Sequence, residues 1–210
     1  MSTKEIPTDL STAKFDFEDG VLIGAACKQV IADGVVSMLQ AVGGGVDVQS
    51  TADTPKRVAN MYDELLSGYS TDPVELLNGA MFDVEYDEMV VVKDIDFYSL
   101  CEHHLLPFYG KAHVGYLPNN KVIGLSKIPR MVEMFARRLQ VQERMTQQIA
   151  LTLDELIHPA GIGVVVEAQH FCAAMRGVRK PNTTMTTSAL RGQFKKNPST
   201  REEFFSHVRQ

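Results

Sequence analysis

Tryptophan is absent from these 210 residues, cysteine occurs three times, and no apolar run approaches the roughly 20 residues needed to cross a bilayer. The lack of such a run excludes a membrane-spanning helix, and the opening MSTKEIPTDLSTAKFDFEDG has no apolar centre of a secretory signal. Cysteines this few and odd in number build no disulfide framework and suit a reducing, cytoplasmic setting. There is no Walker-type glycine loop, so P-loop phosphate chemistry has no support. An excess of positive charge is missing too: 21 Lys and Arg face 26 Asp and Glu, a net charge of -5, and nucleic acid is not an expected partner.

What is present suits one folded domain with a helical extension, 44% hydrophobic and long enough to bury a core. The charge is unevenly spread. Residues 1–100 hold 6 Lys/Arg and 18 Asp/Glu, whereas residues 101–210 hold 15 and 8. A basic second half suits an anionic ligand; the alternative is that the halves neutralise one another across a subunit or helix contact.

Helical spacing of Val21, Ile23, Ala26, Val30, Ile31, Val35, Met38 and Leu39 predicts a helix over 17–42, stopped by Gly43, Gly44 and Gly45. Asp53, Thr54 and Pro55 open a second helix with Val58, Met61, Tyr62, Leu65 and Leu66 as its buried stripe, and Asp72 with Pro73 opens a short third through Leu77. Strands are predicted over 89–93, 95–98, 111–117 and 121–125, the last two joined as a hairpin through Asn119 and Asn120. Two helical stripes follow, Met131 to Leu139 and Met145 to Leu156, halted at 158–161. Strands over 163–172 and 183–190, and a terminal helical turn with a Ser199/Glu202 capping box, complete the chain. Adjacent strands without intervening helices imply an α+β fold: an antiparallel sheet packed by helices on one face. An N-terminal tail and helix over 1–50 precede the main domain, 51–210.

The chemistry-bearing residues lie in two distant segments. Cys101, His103 and His104 fall within four residues, and the C-x-x-H spacing of Cys101 and His104 brings thiolate and imidazole to one ion only if the backbone turns between them. Pro107 then marks an end of regular strand. His170 and Cys172 are two apart on a predicted strand, hence on one face, and complete a candidate zinc set. Three protein ligands would leave a position for water, with His103 and His170 as spare acid/base groups. Four, with His170 or His103 as the fourth, would make a structural staple.

Through DTPKRVANMY, CEHHLLPFYGKAHVGY, VIGLSKIPRMVE, QVQERMTQQIA, HFCAAMRG and TTMTTSALRG, in that order from Thr51 onward, the chain resembles zinc-dependent GTP cyclohydrolase I. The resemblance implies hydrolysis of GTP at guanine C8 with ring rearrangement to 7,8-dihydroneopterin triphosphate and formate, the first step of folate or pterin synthesis. It implies Zn2+ on Cys101, His104 and Cys172, with His103 and His170 handling protons near the purine. Glu143, with Gln142 beside it, would bind guanine through the N1 and exocyclic amine donors that adenine does not offer; read without the family, Glu143 is a solvated helix charge. Ser126, Lys127, Arg130 and Arg176 match the family's triphosphate contacts, and Arg57 one supplied by a neighbouring subunit, where each would otherwise be an ordinary surface group. Asn60 departs from the lysine common in relatives and puts one phosphate contact in question. The tunnelling fold and a ring-shaped homodecamer are implied as well.

Two other readings compete. A non-catalytic zinc-stapled interaction module predicts four protein ligands and no turnover. A tunnelling-fold enzyme acting on another pterin or a deazaguanine sits poorly with the paired cysteines and the SK, QER and MRG pieces.

Overall fold

The structure, a computed structural model, describes residues 22–77 and 79–209, grouped in two compact units that divide between Ser70 and Thr71. In the first unit α1 (Ala25–Val42), a short α2 (Val48–Thr51) and α3 (Thr54–Leu65) lead to a 3-10 turn over Ser67–Tyr69. Gly43 ends α1 at φ 76°, a setting glycine adopts without steric cost. Ala32 and Val36 are buried on α1 and Pro55 and Ala59 on α3, whereas Val30, Met38 and Met61 of the expected stripes are exposed. Residues 17–21 of the expected first helix lie outside the described ones. Lys28, buried on α1, faces Asp63 of α3 at 3.3 Å, and the Asp63 carboxylate also accepts the amides of Leu22 and Ile23. Burial raises the Asp63 pKa, but these donors outweigh it and hold the carboxyl below its usual range.

The second unit runs α4 (Pro73–Leu77), β1 (Met81–Asp83), β2 (Val90–Cys101), β3 (Pro107–Leu117), β4 (Lys121–Ile123), α5 (Lys127–Ala136) and β5 (Leu139–Gln140). It continues through α6 (Gln142–Ile157), β6 (Gly161–His170), α7 (Phe171–Ala174), β7 (Met185–Gly192), α8 (Gln193–Lys196) and α9 (Pro198–Arg209). Five strands form one sheet in the order β5-β2-β3-β6-β7, and β1 pairs with β4 separately. Most pairings are antiparallel, but β5 runs parallel to β2 at Leu100 and Cys101, so the sheet is mixed rather than purely antiparallel. The intervening β3, β4 and α5 supply the long connection that parallel pairing needs.

Helices cover both faces of this sheet, not one. On one side α5 and α6 bring Met131, Phe135, Met145, Ile149 and Leu153 into a core with Phe97, Phe108, Val114, Val164 and Val166. Each such buried side chain stabilises by about 1.5–3 kcal/mol. On the other side Phe194 of α8 and Phe204 of α9 pack with Val165 over Gly115 and Gly163. A Cβ at Gly115 would stand 2.7 Å from the Phe204 ring, and one at Gly163 would stand 2.7 Å from the Phe194 ring, so the bare backbone is what lets these rings approach.

Several boundaries differ from expectation for local reasons. The strands predicted at 89–93 and 95–98 are the single strand β2, bulged between Val92 and Ile95 where Asp94 takes φ 58°. Asn120 turns the chain at φ 58°, yet β4 pairs with β1 instead of forming a hairpin with β3; the Ile123 amide donates to the Tyr116 hydroxyl at 3.2 Å. α5 stops at Ala136, and Leu139 begins β5. α9 is a twelve-residue helix with Pro198 in its first position, and Asn197 rather than Ser199 caps it, accepting the Ser199 amide at 3.0 Å. No helix among the described residues is long and apolar enough to cross a membrane.

Candidate active site

β2 ends at Cys101, and the chain folds back before Pro107 opens β3 opposite Leu100, so this proline begins a strand instead of ending one. Backbone bonds close the turn. The amides of His104 and Leu105 donate to the Cys101 carbonyl at 3.3 and 2.8 Å, and the Cys101 amide donates to the Leu106 carbonyl at 2.9 Å. Leu105 takes φ 53°, the left-handed setting this reversal requires. The result is a Cys101 Sγ to His104 Nδ1 distance of 3.7 Å.

Cys172 arrives by another route. β6 stops at His170, and Cys172 lies on the helical turn α7, not on a strand face shared with His170. That turn still delivers it: the ligating atoms of Cys101, His104 and Cys172 all lie within 4.8 Å of one another. Zinc, which takes thiolate at about 2.3 Å and imidazole at about 2.0 Å, fits two sulfurs and a nitrogen so spaced. Burial pushes the Cys172 thiol up and the Cys101 sulfur adds to it, with Arg176 pulling partly the other way. A cation between the sulfurs reverses that penalty, because it favours both thiolates.

Beside the cluster, the His170 ring stacks on Phe108 with centroids 4.6 Å and planes 4° apart, and its Nε2 lies 2.7 Å from Gln142 Oε1. Burial lowers the His170 pKa, with Glu143 pulling it up. Gln142 is 1% exposed, and its amide nitrogen lies against the Val166 and Met185 carbonyls and Thr187 Oγ1. His103 is exposed on the turn, its ring 6.3 Å from that of His104 and its Nε2 3.8 Å from Glu102 Oε1. Glu102 in turn pairs with Arg144, which also donates to Gln140 Oε1 and the Leu139 carbonyl and so ties the turn to α6. That guanidinium holds the Glu102 carboxyl below its usual range. Sequence reasoning did not find Glu102, Arg144 or Phe108, since partners 42 and 62 residues apart leave no spacing to read.

The remaining expected residues divide by location. Glu143 is exposed in the first turn of α6 within electrostatic reach of His170, and exposed Arg176 follows α7 within reach of Cys172. Ser126 precedes α5 without capping it, Lys127 donates to the Leu76 carbonyl at 2.8 Å, and Arg130 is exposed one turn on. Arg57 and Asn60 belong to the first unit; Arg57 lies 3.9 Å from Asp53, whose carboxylate makes no cap bond to α3. A surface cavity of about 650 Å³ between α6 and β7, lined by Gln148, Ser188, Arg191 and Lys195 among others, includes none of the cluster residues.

A family profile described as GTP cyclohydrolase I matches residues 31–209, reaching upstream of the motifs that begin at Thr51. A GTP cyclohydrolase 1 from Campylobacter jejuni subsp. jejuni serotype O:23/36 (strain 81-176) is 58% identical over 176 residues, covering 84% of this chain and 93% of the relative. Another from Chlorobium phaeovibrioides (strain DSM 265 / 1930) is 50% identical over 191 residues, 91% of this chain and 86% of the relative. Among solved structures, the archaeosine synthase QueF-Like in its apo form aligns with TM-score 0.42 at 16% identity, over 50% of this chain and 93% of that one, too slight a likeness to carry weight.

Proposed function

The chain belongs to the GTP cyclohydrolase I family and is a GTP cyclohydrolase, and we propose that its reaction runs at Cys101, His104 and Cys172 with His103 and His170 beside them. The observation that supports this placement is the meeting of two segments distant in sequence, donor atoms within 4.8 Å, with a stacked imidazole adjoining. Zinc held there supplies, when bound, a water whose pKa falls to about 7.

The protein's own groups do the rest. Guanine C8 is a poor electrophile until N7 is protonated, so one histidine gives a proton at N7 while the other takes one from the attacking water or the ribose oxygen. Glu143 accepts from N1 and the exocyclic amine, a pairing worth about 1–3 kcal/mol against a base without those donors. Ser126, Lys127, Arg130 and Arg176 hold the triphosphate through their donors. Arg57 joins them from a neighbouring subunit of a homodecamer with the tunnelling fold, in the cytoplasm. The products are 7,8-dihydroneopterin triphosphate and formate.

Zinc-replete protein incubated with GTP is expected to release formate and, after oxidation, a fluorescent pterin. Neither product from such protein would overturn the assignment. A zinc-stapled module would need a fourth protein ligand, and the cluster found among the described residues has three.

A further inference from the structure

Gln142 opens α6 with its side chain enclosed, and each polar atom around that side chain has a defined role. Its amide nitrogen lies 3.0 Å from the Val166 carbonyl, 3.0 Å from the Met185 carbonyl and 3.1 Å from Thr187 Oγ1. Carbonyls never donate, so exchanging the amide's nitrogen and oxygen would set oxygen against oxygen twice. Thr187 is an acceptor here as well. Thr146 gives its hydroxyl proton to the Gln142 main-chain carbonyl at 2.8 Å, and therefore receives the Thr187 proton across 2.7 Å. The Gln142 Oε1 is thus turned toward His170, 2.7 Å from Nε2. Since an amide oxygen only accepts, Nε2 carries the hydrogen of the neutral ring and Nδ1 is bare. Stacking on Phe108 at 4.6 Å fixes the plane of the ring and hence the direction in which Nδ1 points.

We propose that Gln142 is a positioning residue: it holds neutral His170 as the Nε2-protonated tautomer and leaves Nδ1 as the ring's acceptor for the proton moved in the reaction. The proposal rests on the reading of His170 as one of the two proton-handling groups. It replaces the expected contact between Gln142 and guanine, because the amide's hydrogens go to β6 and β7 and its oxygen is turned to His170. Without that oxygen the ring is free to carry its hydrogen on Nδ1, where the reaction needs a lone pair.

Nitrogen-15 NMR of histidine-labelled, zinc-loaded wild-type protein tests the first half directly, with the His170 signals assigned by their loss in His170→Asn. Neutral His170 is expected to show a hydrogen-bearing Nε2 and a bare Nδ1, and the reverse pattern overturns the proposal whether or not the protein turns over GTP. Gln142→Met tests the second half by removing the acceptor at similar volume. With zinc retained, kcat should fall about 10–100-fold while KM for GTP stays within about twofold. A raised KM with unchanged kcat would make Gln142 a substrate contact and defeat the proposal. Should Gln142→Met not fold, the wild-type tautomer decides. Wild-type protein that shows the expected tautomer but releases no formate would sink the assigned reaction and leave the Gln142–His170 geometry standing.

Discussion

β3 and β6 lie side by side along the whole sheet, and their two ends are built for different purposes. At the Gly115–Gly163 pair the strands carry no side chains, and Phe194 and Phe204, both fully buried, press onto the backbone. At the Phe108–His170 pair one ring is buried and the other polar and half-buried, and the neighbouring turn exposes His103 and His104. The lesson is a division of labour. Apolar closure at one end is joined to a polar end that holds Leu105 at positive φ and sets two thiols side by side.

The sharpest way to break this comparison is at the polar end. Cys101→Ser or Cys172→Ser should abolish zinc binding and formate release together while thermal unfolding stays cooperative, checked by metal analysis and calorimetry. A variant that kept its zinc would remove that cysteine from the donor set. His103→Ala comes next: zinc stays and turnover falls about 10²–10⁴-fold. An emptied site would place His103 among the ligands.

The packed end should respond in the opposite way. Gly163→Ala puts a Cβ against the Phe194 and Phe204 rings and should destabilise by about 1–3 kcal/mol in denaturant titrations, with zinc per folded chain unchanged. Lost zinc at full stability would show that the two ends are not separable.

The smallest effect concerns His113, 3% exposed on β3, whose Nδ1 accepts the Asp94 amide at 3.2 Å and whose Nε2 has no hydrogen-bond partner among the described residues. Burial lowers its pKa below 6.5, against the upward pull of Asp94 and Glu167 and with Lys111 and Lys93 pushing down. A depressed folded pKa means the unfolded chain binds the proton first. The stabilising contribution is therefore complete above 6.5 and is lost as pH falls from there through the folded value. His113→Asn keeps an acceptor for the Asp94 amide but does not titrate, so its urea midpoint should change less between about pH 7.5 and about pH 5.5 than that of the wild type. Equal changes in both proteins would clear His113 of that role.

Features set by near neighbours were legible in the sequence. The C-x-x-H pair needed only a turn, and the turn is there. The α6 stripe of Met145, Ile149 and Leu153 is buried because helical spacing alone puts those residues on one face. Features set by distant partners were not legible. VVVEAQHFC reads as one strand to its end, whereas the chain enters a helical turn at Phe171 and Cys172 rides on that turn. β5 is two residues long and leaves no periodic signal, and its parallel pairing depends on where α5 returns the chain. Periodicity in α1 marks an apolar stripe without saying what covers it, and Val30 and Met38 remain exposed. The motif QVQER marks Gln142 without revealing that its amide is committed to β6, β7 and His170.

The extra residue between Val92 and Ile95 reaches further than its own neighbourhood. Val90 and Val92 pack on the α5/α6 side of β2, and strict alternation would keep even-numbered residues on that side to the strand's end. The bulge swaps parity, so Ile95, Phe97 and Cys101 take that side instead. One surplus peptide unit thus acts as a phase switch that chooses the side of the sheet on which a thiol appears. Flattening the bulge with every residue kept would aim the Cys101 sulfur away from Cys172, whereas deleting one of its residues would leave Val92 and Ile95 two apart and the thiol where it is.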